Sequence, residues 1–191
     1  MNQVTGLILA GGLARRMGGG DKGLRLFRGR PMVAHAIERL APQVDALLIN
    51  ANQNREAYAA LGYPVIADVI DGYAGPLAGL HAGLSTCTTP LLVTVPCDSP
   101  FLPLDLVARL HAALELDAAQ LAMARSGGWN QPVFALCRRE VLDSLSAFLA
   151  AGGRKVDAWF AALTIVEVPF PDESAFANIN TPEELERLEV Q

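Results

Sequence analysis

Short apolar runs rich in Val, Ile and Leu alternate along this chain with stretches in which apolar residues recur every three or four positions. The runs read as buried strands: GLILA (6–10), DALLIN (45–50), PVIAD (64–68), LLVTV (91–95), QLAMA (120–124), PVFAL (132–136) and TIVEV (164–168). Between most of them the period turns helical. Val33, Ala36, Ile37 and Leu40 share one face, Val107, Leu110 and Leu114 a second, and Val141, Leu142, Leu145, Phe148 and Leu149 a third. Strand–helix alternation of this kind predicts an α/β fold, a Rossmann-like three-layer domain whose mostly parallel sheet is covered on both faces. RSGGWNQPVFAL breaks the alternation with a Gly-Gly turn between two strand-like runs, so one hairpin and one antiparallel strand are expected. Thr181-Pro182-Glu183-Glu184 announces a last helix: Thr caps, Pro takes the first helical position, and Glu184 can close a capping box.

Length and composition fit that picture. With 191 residues, 51% of them hydrophobic, the chain can bury one core without disulfides or a structural metal, and residues 1–191 read as a single domain. No apolar run approaches the roughly 18–20 residues that span a bilayer, and the start lacks a basic leader, so a cytoplasmic protein without membrane partners is expected. Cys87, Cys97 and Cys137 are odd in number and far apart, as reduced core thiols would be. His35, His81 and His111 are isolated, with no ligand set at metal spacing.

Charge changes the picture more than the net −5 suggests. Residues 1–31 hold six basic side chains (Arg15, Arg16, Lys22, Arg25, Arg28, Arg30) against Asp21, a local +5, while the rest of the chain carries −10. One basic segment on an acidic protein suits a small polyphosphate and not a nucleic acid, which asks for an extended basic face. That segment is also the richest in glycine, and it follows the first strand directly: LILAGGLARRMGGGDKG (7–23).

Three phosphate loops compete for it. A Walker loop needs Gly-Lys-Ser/Thr, whereas Lys22 lies between Asp21 and Gly23, so the metal-binding hydroxyl is missing. Gly18, Gly20 and Gly23 match the dinucleotide fingerprint literally, but they start eight residues past the strand and LRLFRGRP follows in place of a helix. The whole segment L-A-G-G-x-x-x-R-M-G-x-x-D-K-G, at the carboxyl end of the first strand, is the better fit. Glycines there let backbone N–H groups approach phosphate oxygens, and Arg16 and Lys22 add full charges.

At these residues the chain resembles the nucleotidyltransferases of the sugar-nucleotide pyrophosphorylase superfamily, and within them the molybdenum cofactor guanylyltransferases. The likeness runs from LAGG (9–12) to NINTPEEL (178–185) through NAN (50–52), VIAD (65–68), GPLAG (75–79), PCDSPFLP (96–103) and NQPVFAL (130–136). It implies a nucleotide-diphospho-sugar transferase-like fold and Mg²⁺-dependent transfer of GMP from GTP to molybdenum-molybdopterin, with release of pyrophosphate. It further implies nucleotide contacts at Leu9, Ala10, Gly11, Gly12, Lys22, Asn50, Asp68 and Asp98, with Asp98 as metal ligand and Arg16, Lys22 and Asp98 as catalytic residues. Gly79, Asn178 and Asn180 are the acceptor candidates. A carboxylate such as Asp68 can accept from the N1–H and N2–H₂ edge of guanine. The resemblance implies guanine over cytosine, since the chain is similar to guanylyl-transferring members in reading L-A-G-G where cytidylyl-transferring relatives usually read L-A-A-G. A monomer is expected, and the resemblance brings other molybdenum-cofactor biosynthesis proteins and molybdoenzyme chaperones into view as partners. The alternatives are a CTP-dependent or sugar-phosphate nucleotidyltransferase, an NAD(P)-binding oxidoreductase, and a non-catalytic GTP-binding module.

Overall fold

The first apolar run becomes an inner strand of the sheet because its residues are buried on both faces. A computed structural model describes residues 3–10, 21–70 and 75–189. In chain order the elements are β1 (Val4–Leu9), β2 (Leu26–Phe27), β3 (Arg30–Pro31), α1 (Met32–Leu40), β4 (Ala46–Asn50), α2 (Arg55–Ala59), β5 (Val65–Ile66) and α3 (Pro76–Thr86). They continue with β6 (Leu91–Pro96), α4 (Leu106–Leu116), β7 (Leu121–Ser126), β8 (Trp129–Arg138), α5 (Leu142–Ala150), α6 (Val156–Phe160), β9 (Ile165–Phe170) and α7 (Pro182–Glu189).

Seven strands form one sheet in the order β5-β4-β1-β6-β8-β7-β9. β1 pairs in parallel with β4 and β6, β4 with β5, and β7 with β9, while β8 alone runs antiparallel, between β6 and β7. The Gly-Gly turn thus makes the expected hairpin, and it is tighter than expected. Only Gly127 and Gly128 turn, both at positive φ (58° and 81°), leaving Arg125 and Ser126 inside β7.

Two apolar layers sandwich the sheet. On one face Ile8, Val93 and Phe134 meet Val33 and Ile37 of α1 and Leu110 and Leu114 of α4. On the other, Leu7, Leu92 and Leu121 meet Leu77 and Leu80 of α3, Leu145 of α5 and Trp159 of α6. The expected helical faces are the buried ones in α1 and α4; in α5 Leu145 and Leu149 are buried, with Leu142 and Phe148 half-buried beside them.

A third, smaller cluster lies off the sheet. Phe27 and Met32 join Ile179 and Leu188, so the β2–β3 hairpin is clamped against the segment that leads into α7. Arg28 and Gly29 turn that hairpin at positive φ (50° and 73°). The capping box forms as read: the Thr181 hydroxyl accepts from Glu184 N–H at 3.2 Å and Glu184 Oε2 accepts from Thr181 N–H at 3.1 Å. Among the described residues no helix is long and apolar enough to cross a membrane.

Candidate active site

Parallel strands end together at one edge of the sheet, and there the polar residues gather. The Ala10 N–H donates to the Asn50 carbonyl at 2.8 Å and the Cys97 N–H to the Leu9 carbonyl at 3.2 Å, so the ends of β1, β4 and β6 are laced to one another. Leu9 and Ala10 close β1, Asn50 closes β4, Asp68 follows β5 and Asp98 follows β6. In open α/β sheets ligands bind at this edge.

Lys22 and Asp98 meet there as an ion pair. The Lys22 ammonium contacts Asp98 Oδ2 and donates to Asn180 Oδ1 at 2.5 Å, and the two charged side chains are only 16% and 10% exposed. Surrounding hydrogen bonds hold Asp98 and the segment that carries Asn180 in place. Asp98 O accepts from Ile179 N–H at 3.0 Å, the Ser99 hydroxyl donates to Asn178 Oδ1, and Glu184 Oε2 takes the Asn180 N–H at 2.6 Å. The segment 178–180 therefore brings Asn180 to the charged pair and leaves Asn178 one residue aside, on Ser99.

A second polar group sits across the edge. Asp68 receives the Asn50 amide on Oδ1 at 2.9 Å and the Asn52 amide on Oδ2 at 2.8 Å, and its own N–H returns to Asn52 Oδ1 at 2.9 Å. Each carboxylate oxygen can accept two hydrogen bonds and takes one here, so both keep one lone pair for a ligand. Asn52 was part of the NAN landmark but not among the residues expected at the site. Gly79 is the third acceptor candidate. It is buried in α3, where a β-carbon would lie 2.5 Å from Asn50 Oδ1 and 2.6 Å from Leu9 Cδ2. Its place is underneath Asn50, which it allows to sit close to the helix.

Beside Lys22 is a group that sequence reasoning missed altogether. Asp21 Oδ1 accepts from the Tyr58 hydroxyl and from Gly23 N–H at 3.1 Å, and Oδ2 accepts from the Asn54 amide at 3.1 Å. Tyr58 is fully buried. Burial pushes its phenol well above the ordinary range, with the Cys97 thiol and the Asp21 carboxylate adding to the effect, so it is a hydrogen-bond donor at any physiological pH. A β-carbon on Gly23 would lie 2.5 Å from that hydroxyl, which is why glycine follows Lys22. Tyr58 stands 37 positions from Asp21, on a five-residue helix with no strong period of its own.

Gly11, Gly12 and Arg16 lie outside the described residues. Two of the sequence landmarks come together: Pro76 and Leu77 of GPLAG and Pro132, Val133 and Ala135 of NQPVFAL line one apolar cleft with Leu9. Cys87, Cys97 and Cys137 are free and buried. His81 Nε2 lies 3.0 Å from the Ser146 hydroxyl, but that hydroxyl donates to the Leu142 carbonyl, so the imidazole donates to it and takes no proton from it. Among the described residues no three His, Cys, Asp or Glu side chains are grouped to hold a metal. The Asp98 carboxylate and the nearby Asn180 oxygen still fit Mg²⁺, which binds through one or two carboxylates and completes its shell with water and substrate phosphates.

Comparison with known proteins agrees with this geometry. Residues 6–166 match the family model described as a MobA-like NTP transferase domain. Proteins named molybdenum cofactor guanylyltransferase are similar over the full length. That of Cupriavidus taiwanensis is 52% identical, covering 100% of this chain and 98% of its own, and that of Polynucleobacter asymbioticus is 53% identical, covering 98% and 96%. Among solved structures, molybdopterin-guanine dinucleotide biosynthesis protein A from Archaeoglobus fulgidus superimposes with a TM-score of 0.79 at 23% identity, over 97% of each chain. A CMP:2-keto-3-deoxy-manno-octonic acid synthetase complexed with CTP shares the fold at TM-score 0.79 and 16% identity, over 98% of this chain and 97% of its own.

Proposed function

Because this chain belongs to the MobA-like NTP transferase family, we propose that it transfers GMP from GTP to the phosphate of molybdenum-molybdopterin and releases pyrophosphate. One observation carries the reading beyond the family: Lys22, Asp98 and Asn180 converge, from three distant parts of the chain, at the carboxyl edge of the parallel strands.

An oxygen of the acceptor phosphate attacks the α-phosphorus of GTP, and the bond to the bridging oxygen of the β-phosphate breaks as pyrophosphate leaves. The attacking oxygen is already ionised, so the reaction asks for alignment and charge neutralisation and needs no protein nucleophile. Lys22 neutralises phosphate oxygens. Asp98 holds Mg²⁺, which supplies a divalent charge at the reacting phosphates. Leu9 and Ala10 offer main chain to the nucleotide, and Gly11, Gly12 and Arg16 extend that contact along the loop. Asp68, held by Asn50 and Asn52, accepts from the N1–H and N2–H₂ edge of guanine. Asn178 and Asn180 face the acceptor phosphate. Residues 1–191 act as one unit, monomeric and cytoplasmic, that hands its product to other molybdenum-cofactor and molybdoenzyme-assembly proteins.

Product analysis after incubation with Mg²⁺, molybdenum-molybdopterin and either GTP or CTP tests the reading. The guanine dinucleotide and pyrophosphate are expected with GTP; equal or better turnover of CTP overturns the guanylyl assignment. Lys22→Ala and Asp98→Ala are expected to fold and to lose transfer by roughly a hundredfold or more, the scale set by removing one preorganised charge from a transition state.

A further inference from the structure

Both carboxylate oxygens of Asp21 are engaged by their surroundings. Tyr58 and Gly23 donate to one oxygen and Asn54 to the other. The two side-chain donors are fixed relative to each other, since the Tyr58 N–H donates to the Asn54 carbonyl at 3.2 Å and Asn54 sits in the left-handed region at φ 50°. A phenylalanine would fill the same buried volume at residue 58. The hydroxyl adds a buried polar atom, and its hydrogen bond runs to the residue immediately before Lys22. On the other side of Lys22, Gly23 leaves room for the same hydroxyl, since a β-carbon there would lie 2.5 Å from it. Lys22 thus stands between one residue that binds the phenol and one whose missing side chain makes space for it.

We propose that Tyr58 and Asp21 are positioning residues for Lys22, a buried clasp that sets the lysine main chain so that its ammonium reaches the triphosphate. The proposal rests on the nucleotidyl-transfer reading above. A lysine side chain is long and rotamer-rich, so its charge is well placed only if its Cα is. Misplacing a binding group by about an ångström can cost up to a hundredfold in rate.

The experiment is a double-mutant cycle on the full chain, with Tyr58→Phe, Lys22→Ala and the double variant, reading GTP–Mg²⁺ affinity by calorimetry alongside melting temperature. Tyr58→Phe is expected to weaken GTP binding about tenfold in the wild-type background and less than twofold once Lys22 is gone, because the clasp then has nothing to aim. An equal loss in both backgrounds makes Tyr58 merely structural and overturns the proposal, as does wild-type affinity in Tyr58→Phe. Should Tyr58→Phe fail to fold, Asp21→Ala, which takes the acceptor away from the phenol, carries the same cycle to the same decision. Absence of GTP binding by the wild type overturns both the functional reading and this proposal; binding by the wild type with independent losses overturns the proposal alone.

Discussion

A β-carbon added at residue 79 meets the end of the Asn50 side chain, which can swing aside only by giving up its bond to Asp68. Gly79→Ala is therefore expected to cost both stability and affinity. The melting temperature falls by roughly 2–6 °C, since the same β-carbon also crowds Leu9 Cδ2, and KM for GTP rises about fivefold, the equivalent of one lost hydrogen bond of roughly 1 kcal/mol; steady-state kinetics beside a melting curve checks it. At this scale the sequence announced some roles and hid others. Lys22 and Asp98 were legible because a charged residue in a glycine loop, or just past an apolar strand, has little packing reason to be there. Tyr58 and Asn52 were not. A tyrosine in a short helix and an asparagine in a turn look ordinary until the fold sets them against Asp21 and Asp68.

Among the elements, the long apolar strands and the three amphipathic helices could be read from their periods, and the final helix from its cap. What escaped was short. The two-residue strands β2 and β3 are joined by Arg28-Gly29, where the usual signal would be Asn-Gly or Asp-Gly, and an arginine at φ 50° gives no warning of a turn. Helix α7 shows how an end signal serves the site. Thr181→Ala removes a helix cap worth about 1 kcal/mol and should lower the melting temperature by roughly 2–4 °C. Glu184→Ala should lower it to a similar degree and also cut transfer about fivefold, since Glu184 Oε2 holds Asn180 N–H as well. Equal activity in the two variants would show that α7 has no hand in the site.

Over the described molecule, the seven-stranded sheet, six strands parallel and one reversed, gathers polar residues at a single edge and leaves the interior apolar. Three thiols lie in that interior. Burial pushes the Cys137 thiol up to about 12, the nearby Cys87 adding to it, and raises Cys87 as well. Below the ordinary thiol value both folded and unfolded chains keep these protons, and stability does not change with pH on their account. Above it the unfolded chain releases protons that the folded chain retains, so stability falls as pH climbs from about 9 towards 12, by at most about 1.4 kcal/mol per pH unit for each thiol. Urea midpoints at pH 7.5 and 10 should show the decline, and Cys137→Val should make it shallower. The contact between Lys22 and Asn180 joins residues 158 positions apart. A chain made only as far as residue 177 holds every strand of the sheet but lacks Asn180. A premature stop codon near residue 177 would release a protein that looks folded by circular dichroism yet turns over nothing.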